Sequence, residues 1–540
     1  MTLLTLQSSQ LAFGMLPLLD GASLTVTEGE RIGLIGRNGT GKSSLLSVIC
    51  GRLALDDGER HVRDGLRMVV VGGVPSPWGE AAKGVLHLKG IDWVAVRLAY
   101  DSDALKQWAG QRSGPVAVFR ARWGDIEVAE WPDGSPRVTR TTGDPLTELR
   151  ALLDRWRVEP GEWQSTAIPF LAGAVGYFAY EARHYVEPMP ANSADRLGLP
   201  DVYFALYDTL LAHHHETGKT FLSVVGRGRT ESEARHRAEQ TRDEWLADLR
   251  AFTPAPLASG TSHPPEVFTT ADRQTYSAAV QTCIDHISAG DVFEVCLTRR
   301  LWAPFRGDPW RLYQELRRIS PAPFACYLDY PEGQVVSSSP ERFVQLDADR
   351  VAESRPIKGT RPRGNSAAED EAFRHDLQAS EKDRAENMMI VDLVRNDLGR
   401  VCQPGTVTVP ELMAVEEYAT LFQMVSTVRG RLRDGLDGLD LVRACFPGGS
   451  MTGAPKIEAM KIIDRLEGVQ RGVYSGSVGY LDYSGRLDLN IVIRTLVVAN
   501  GVAHFSAGGA VVADSDPAGE YDETVTKVRA LIEALGAVPG

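Results

Sequence analysis

Hydrophobic and polar positions change period from segment to segment along this chain. RIGLIG (31–36) is a short apolar run of strand length, followed by the glycine-rich GRNGTGKS (36–43) and by SLLSVIC (44–50), whose apolar residues have helical spacing. RTESEARHRAEQTRDEWLADLR (229–250) predicts a solvated amphipathic helix. SEKDRAENMMIVDLVRNDLGR (380–400) predicts a helix that Met388, Met389, Ile390, Val391, Leu393 and Val394 leave apolar nearly all round, so burial is expected. LNIVIRTLVV (489–498) is strand-like and β-branched, with a lone cation, Arg494, inside it. DSDPAGEYDETVTKVRALIEAL (514–535) predicts the last helix, with Asp516 suited to the N-cap and Pro517 to the first helical position.

Two stretches, VPSPWGEAAKG (74–84) and FTPAPLASGTSHPPE (252–266), have the proline and glycine content of joints and divide the chain into 1–75, about 85–250 and 266–540. No repeat of 20–50 residues is visible. No run approaches 18 apolar residues, and MTLLTLQSSQLAFG lacks the basic start and compact apolar core of a signal peptide. The expectation is a cytoplasmic protein without a membrane partner. A net charge of −13 argues against a nucleic-acid partner, and 43% hydrophobic with 24% charged residues is ordinary for globular chains. The six cysteines are scattered singly, as expected of reduced, mostly buried thiols. His213, His214 and His215 point alternately on a strand and cannot easily converge on one ion, so they are expected at a strand end or loop.

Strand, glycine loop and helix at 31–50 form a P-loop in its required context. Gly36, Gly39 and Gly41 let backbone N–H groups turn onto phosphate, and Lys42 and Ser43 would meet phosphate and magnesium. The stretch resembles the opening of an ATP-binding cassette domain. The resemblance stops near residue 75, with no Q-loop glutamine, LSGGQ-like run or apolar run ending in Asp-Glu beyond it. Such a fragment is not expected to hydrolyse ATP. A nucleotide-binding module is the alternative functional reading, from a different class, that it supports.

The C-terminal segment carries acidic chemistry. Glu520, Glu523 and Lys527 fall within an arc of about 60° on the last helix. They read either as a surface pair, stabilising by about 0.2–0.5 kcal/mol, or as ligands. Glu386 sits beside a core, where a carboxylate needs an arginine, a proton or a metal. Two or three such groups with an anionic substrate would suit Mg²⁺. Arg494 reads either as half of a structural ion pair or as a bidentate clamp on a ligand carboxylate. The glycine-rich FPGGSMTGAPK (446–456), with Pro455 opening a helix, and FSAGGAVVADSDP (505–517) could bring backbone N–H groups to a carboxylate.

SSSPERFV (337–344), RPIKGTRPRG (355–364), RAENMMIVDLVRNDLGRVC (384–402), FPGGSMTGAPK and the closing SAGG…DET…K segment together resemble the chorismate-binding enzymes. The resemblance is dense over 266–535 and extends upstream through PFLAGAVGYFAYEARHYVE (169–187) and LPDVYFALYD (199–208). It implies an α+β fold of two antiparallel sheets stacked as a sandwich with helices outside, and the P-loop fragment standing apart. Within the family, the residue before GT in RPI-x-GT is Ala in anthranilate synthases and Lys in aminodeoxychorismate-forming members; here it is Lys358. Glu294 stands where isochorismate-forming members place a water-activating lysine, and Gln423 where anthranilate synthases carry a histidine. The region FRARWGDIEV (119–128) lacks the family's Leu-Leu-Glu-Ser element for binding tryptophan.

The implied chemistry is amination of chorismate to 4-amino-4-deoxychorismate, with anthranilate formation as the rival. Mg²⁺ would be held by Glu386, Glu523 and Glu520; substrate carboxylates by Arg494 and Lys527 with Thr452, Gly508 and Gly509. Lys358 would be the nucleophile, Glu341 the general acid and Glu294 a further catalytic residue. Since a lysine must lose its proton to attack, a desolvated, cation-rich pocket is expected around Lys358. The chain holds no Gly-x-Cys-Leu-Gly elbow, so a separate glutamine amidotransferase is expected to supply ammonia.

Overall fold

The computed structural model describes residues 115–537 except 132–136, 159–167, 190–192, 196, 216–217, 252–264 and 419–420, together with five strands earlier in the chain. Two compact units result: Met1–Gly114 with Thr209–Leu257, and Pro115–Asp208 with Ala258–Gly540.

In the first unit, strands Leu16–Thr27, Thr2–Phe13 and Asp57–Val62 form an antiparallel sheet in that spatial order. Arg31–Gly33 pairs with Val85–His87, and Thr209–His214 with Lys219–Val224. His213 and His214 end a strand, as expected, with the His213 ring 2.9 Å from Thr220 Oγ1. The charged segment forms the helix Glu231–Ala251, none of whose described side chains is buried. Gly36, Gly39, Gly41, Lys42, Ser43 and the segment 44–50 lie outside the described residues.

The second unit is built on two antiparallel sheets. The larger runs Ile357–Pro362, Leu421–Arg431, Val351–Arg355, Arg342–Leu346, Leu487–Asn490, Ser477–Asp482, Gly173–Phe178, Val202–Tyr207, Ala117–Arg122, Asp125–Glu130, Arg137–Thr142, with Thr408–Glu417 also paired to Leu421–Arg431. The smaller runs Phe268–Thr269, Glu294–Pro304, Val502–Val511, Thr495–Ala499, Gly333–Ser339, Phe324–Tyr330, with Gly453–Ala454 paired to Glu294–Pro304. Strand alternation sorts side chains between layers. Val335 and Val497 face inward and pack with Val118, Tyr177 and Tyr203 of the larger sheet. The adjoining Val336, Leu496 and Val498 face outward beneath helices Pro309–Ile319 and Pro517–Ala537. The Tyr330 ring lies 5.5 Å from Tyr177 and 4.1 Å from Tyr203, closing the sandwich interior. The fold is thus the two-sheet α+β sandwich that the motifs implied.

The helices expected over 380–400 and 514–535 both form. The last helix begins at Pro517, and Asp516 caps it by accepting from Gly519 N at 2.8 Å. Val528, Leu531 and Leu535 bury its inner face. The Glu381–Gly399 helix, expected to be buried, is a surface helix with one buried face made by Asn387, Ile390, Val391, Val394 and Leu398. Met388 is 41% exposed, because the consecutive apolar residues 388–391 spread right round the helix and only part of that arc meets the sheet. The five described cysteines are free thiols, and four of them are buried.

The chain passes from one sheet to the other twice at one place. Residues 340–341 link Gly333–Ser339 to Arg342–Leu346, and 491–494 link Leu487–Asn490 to Thr495–Ala499. These crossings lie side by side. Ile491 N donates to Glu341 O at 3.0 Å, Ser338 N to Arg494 O at 3.1 Å, and Ser339 Oγ to Ile491 O at 2.5 Å.

Candidate active site

Glu341 and Arg494, one on each crossing, are drawn together by those bonds. Glu341 is 5% exposed, and burial pushes its carboxyl up to about 7 against opposing pulls from a Ser450 hydrogen bond and the Lys358 charge. Arg494 sits at a φ of +49°, and burial depresses its guanidinium while Glu341 opposes that effect. Glu341 is the carboxylate whose charge reaches it, but no ion pair to Arg494 forms among the described residues, so its fork is available to a ligand.

Lys358 is the second residue of the Ile357–Pro362 strand and points its Nζ at Glu294 Oε1, 3.2 Å away, with Glu386 Oε2 at 3.8 Å. Glu294 is fully buried and its Oε2 has no partner. The expectation of a cation-rich pocket is corrected here: the pocket is desolvated, but carboxylates flank the lysine. Burial alone would lower Lys358, yet Glu294 and Glu386 outweigh it and hold the ammonium above its usual range. Lys358 therefore stands as an ammonium with a proton acceptor already in place.

The acidic groups of the last helix lie beside the end of the Val502–Val511 strand. Glu520 Oε1 accepts from Ser515 Oγ at 2.7 Å, while its buried Oε2 is unpartnered. Glu523 lies 2.6 Å from Lys527 Nζ, which also donates to Gly508 O at 2.8 Å. Burial raises Glu520; the same burial acts on Glu523, but Lys527 prevails and lowers it. Lys382 Nζ is 3.8 Å from Glu386 Oε1, and its charge also reaches Glu520 and Glu523. Gly509 leaves room for the Glu520 carboxylate, since a Cβ there would stand 2.3 Å from Glu520 Oε2 and displace it. At Gly508 a Cβ would meet Leu297 O at 2.1 Å, so strand packing accounts for that glycine.

No three acidic, histidine or cysteine side chains among the described residues close into a ready metal cage. Mg²⁺ does not require one, since it takes one or two carboxylates and completes its shell with waters and ligand oxygens. The orphaned Glu520 Oε2, with Glu523 and Glu386 nearby in the same electrostatic field, fits that demand.

Most residues anticipated from sequence converge: Lys358, Glu294, Glu341, Glu386 and Arg494 around the crossings, and Glu520, Glu523, Lys527, Gly508 and Gly509 beside them. Thr452 is buried, but its hydroxyl is directed to the carbonyls of Gly448 and Gly449 at 3.4 and 3.3 Å. Its own carbonyl accepts from Cys296 N at 2.9 Å, so it braces the strand bearing Glu294. Gln423 is 2% exposed with an unpartnered Oε1, on the strand beside Lys358. Ser450, Ser515 and Lys382 were not singled out in the sequence. Ser450 lies inside an identified glycine-rich turn, but nothing local shows that it shares a cavity with a glutamate 109 positions earlier.

A lysine between carboxylates, beside a buried acid and an arginine without a carboxylate partner, has the chemistry to hold an anion and to move protons. The chorismate binding enzyme family matches residues 98–533, and the chain belongs to that family. An aminodeoxychorismate synthase of Streptomyces pristinaespiralis is 45% identical over 413 residues, 75% of this chain and 56% of that protein. The chain thus spans little more than half of that relative's length. Anthranilate synthase component 1 of Streptomyces coelicolor is 42% identical over 412 residues, 73% of this chain and 78% of that one. The crystal structure of anthranilate synthase component I from Streptococcus pneumoniae shares the fold with a TM-score of 0.68 and 30% identity, covering 78% of this chain and 91% of the other. Residues 19–68 match the ABC transporter family.

Proposed function

We propose that this chain aminates chorismate, with ammonia, to 4-amino-4-deoxychorismate. The observation that carries the reading is Lys358, whose Nζ is set 3.2 Å from a fully buried carboxylate. Arg494 and Lys527 would receive the substrate carboxylates. Glu520, Glu523 and Glu386 would hold Mg²⁺, which would neutralise charge on a bound carboxylate. Glu294 would take the proton that Lys358 must lose, a transfer that has to overcome the hold of Glu294 and Glu386 on the ammonium of the free enzyme. The freed amine forms a bond at C2 as the ring double bond shifts and the C4 hydroxyl departs as water, carrying the proton of Glu341. Ammonia then bonds at C4, the double bond shifts back, and the C2–nitrogen bond breaks to release Lys358. One water leaves for each ammonia added. Glu341 suits the acid role because burial keeps it protonated up to about pH 7.

Ammonia would come from a partner glutamine amidotransferase. The test is incubation with chorismate, an ammonium salt and Mg²⁺, followed by mass analysis of the product. Aminodeoxychorismate is expected, and glutamine should replace ammonium only when an amidotransferase is added. Anthranilate as the product would overturn the reading in favour of its rival.

A further inference from the structure

Arg471 lies outside every group assigned above, yet its guanidinium reaches both halves of the reaction centre. It follows the Lys456–Glu467 helix and is 4% exposed. Nε donates to Glu467 Oε2 at 2.9 Å, and Nη2 to Glu467 Oε1 at 2.6 Å and Cys296 O at 2.7 Å. Nη1 donates to Met451 O at 2.7 Å and Ser475 Oγ at 3.2 Å. A guanidinium has five N–H donors, and all five are engaged.

Two of those acceptors matter for chemistry. Met451 O follows Ser450, which lines one cavity with Glu341 and whose hydroxyl opposes the upward push of burial on that carboxyl. Cys296 O is two residues beyond Glu294 on the strand that delivers Glu294 to Lys358. Glu467 extends the clamp by accepting from Thr298 N and Oγ1 at 2.8 and 2.9 Å. The arginine is itself anchored: its own N–H donates to buried Glu181 at 2.9 Å, and its guanidinium lies 4.6 Å over the Tyr180 ring.

We propose that Arg471 is a positioning residue for the reaction, a single buried fork that sets the Ser450 turn and the Glu294 strand at their working separation. The inference rests on the reading of Glu341 and Lys358 as reacting groups, not on the identity of the product. Lysine cannot replace it, since three donors on one nitrogen cannot meet five acceptors spread around a plane. Displacements below 1 Å at the two segments then act on proton donation and nucleophile alignment, which are catalytic rather than binding quantities.

The experiment is Arg471→Lys in the full chain, read as chorismate consumption at saturating ammonium across pH. The expected result is kcat lower by about 10- to 100-fold with KM for chorismate changed less than about threefold. The pH at which Glu341 deprotonation stops turnover should also move upward, because a loosened Ser450 no longer favours its ionised form. Arg150→Lys is the control: this half-buried arginine pairs with Asp437 at 2.6 Å and Asp440 at 2.7 Å and shares no partner with Arg471, so it should lower the melting temperature alone. If Arg471→Lys does not fold, Glu467→Gln keeps the side chain's size while weakening the clamp, and should move kcat and the pH limb in the same directions. Loss of melting temperature with kcat and pH limb unchanged, in whichever of the two variants folds, would overturn the proposal. A wild-type product other than aminodeoxychorismate would instead overturn the functional reading and leave this one standing.

Discussion

Glu341 and Lys358 are a pair of titrating groups pushed in opposite functional directions by the same buried environment. Glu341 takes up a proton because burial dominates; Lys358 keeps one because Glu294 and Glu386 dominate. In the proposed mechanism Glu341 is protonated when it acts, so turnover per free ammonia should fall as pH rises past about 7, and Glu341→Gln should lose both most of the activity and that limb. Its effect on stability has the same sign. With a folded pKa above the unfolded one, the contribution is complete below about 4.5 and is lost as pH rises through about 7. A urea-denaturation series over that range should show this decline in the wild type and a flatter profile in Glu341→Gln. Lys358→Ala should retain chorismate binding, measured by calorimetry, while amination falls by a factor on the order of 10³ to 10⁶. Unchanged turnover would remove Lys358 from the mechanism. The acidic surroundings of Lys358 were not legible from its own motif, because Glu294 lies on a strand of the other sheet, 64 positions away.

At the scale of elements, the last helix was readable because its chemistry is local. Asp516, Pro517 and the spacing of Glu520, Glu523 and Lys527 are all set by a 3.6-residue repeat, and the helix follows them. The Glu381–Gly399 helix is less buried than its sequence predicts because apolar residues at consecutive positions show how much of a helix could be buried, not how much its neighbours cover. Glu386 gains its semi-buried position from that partial cover. A strand–helix contact also escapes sequence reasoning: Gly509 touches the Glu520 carboxylate only because the Val502–Val511 strand runs under the helix start. Gly509→Ala puts a methyl where Glu520 Oε2 now stands and must swing that carboxylate aside. The Mg²⁺ concentration for half-maximal activity should rise about tenfold, the scale of disturbing a metal's supporting shell, with the melting temperature little changed. A Mg²⁺ titration identical to wild type would show that Glu520 does not hold the ion.

For the whole molecule, the consequential pairing is between distant segments. Gly173–Phe178 lies in register with Ser477–Asp482, so upstream and C-terminal chain share one sheet, and that sheet carries Lys358 near one edge. No periodicity announces a partner three hundred residues away, although the family motifs implied the two-sheet arrangement. Every described residue of the reaction centre belongs to the unit formed by Pro115–Asp208 and Ala258–Gly540. The P-loop segment 36–43 lies outside the described residues, and the sequence beyond it holds no Q-loop, LSGGQ-like run or Asp-Glu-terminated strand to complete a hydrolytic site. Nucleotide chemistry and chorismate chemistry should therefore be uncoupled. Adding ATP with Mg²⁺ held constant should leave the amination rate and product unchanged, and Lys42→Ala should behave as wild type in the same assay. A severalfold shift with ATP that Lys42→Ala abolishes would make the P-loop a regulatory nucleotide site. A shift that survives Lys42→Ala would instead point to ATP acting through magnesium or at the reaction centre, which a titration at fixed free Mg²⁺ would separate.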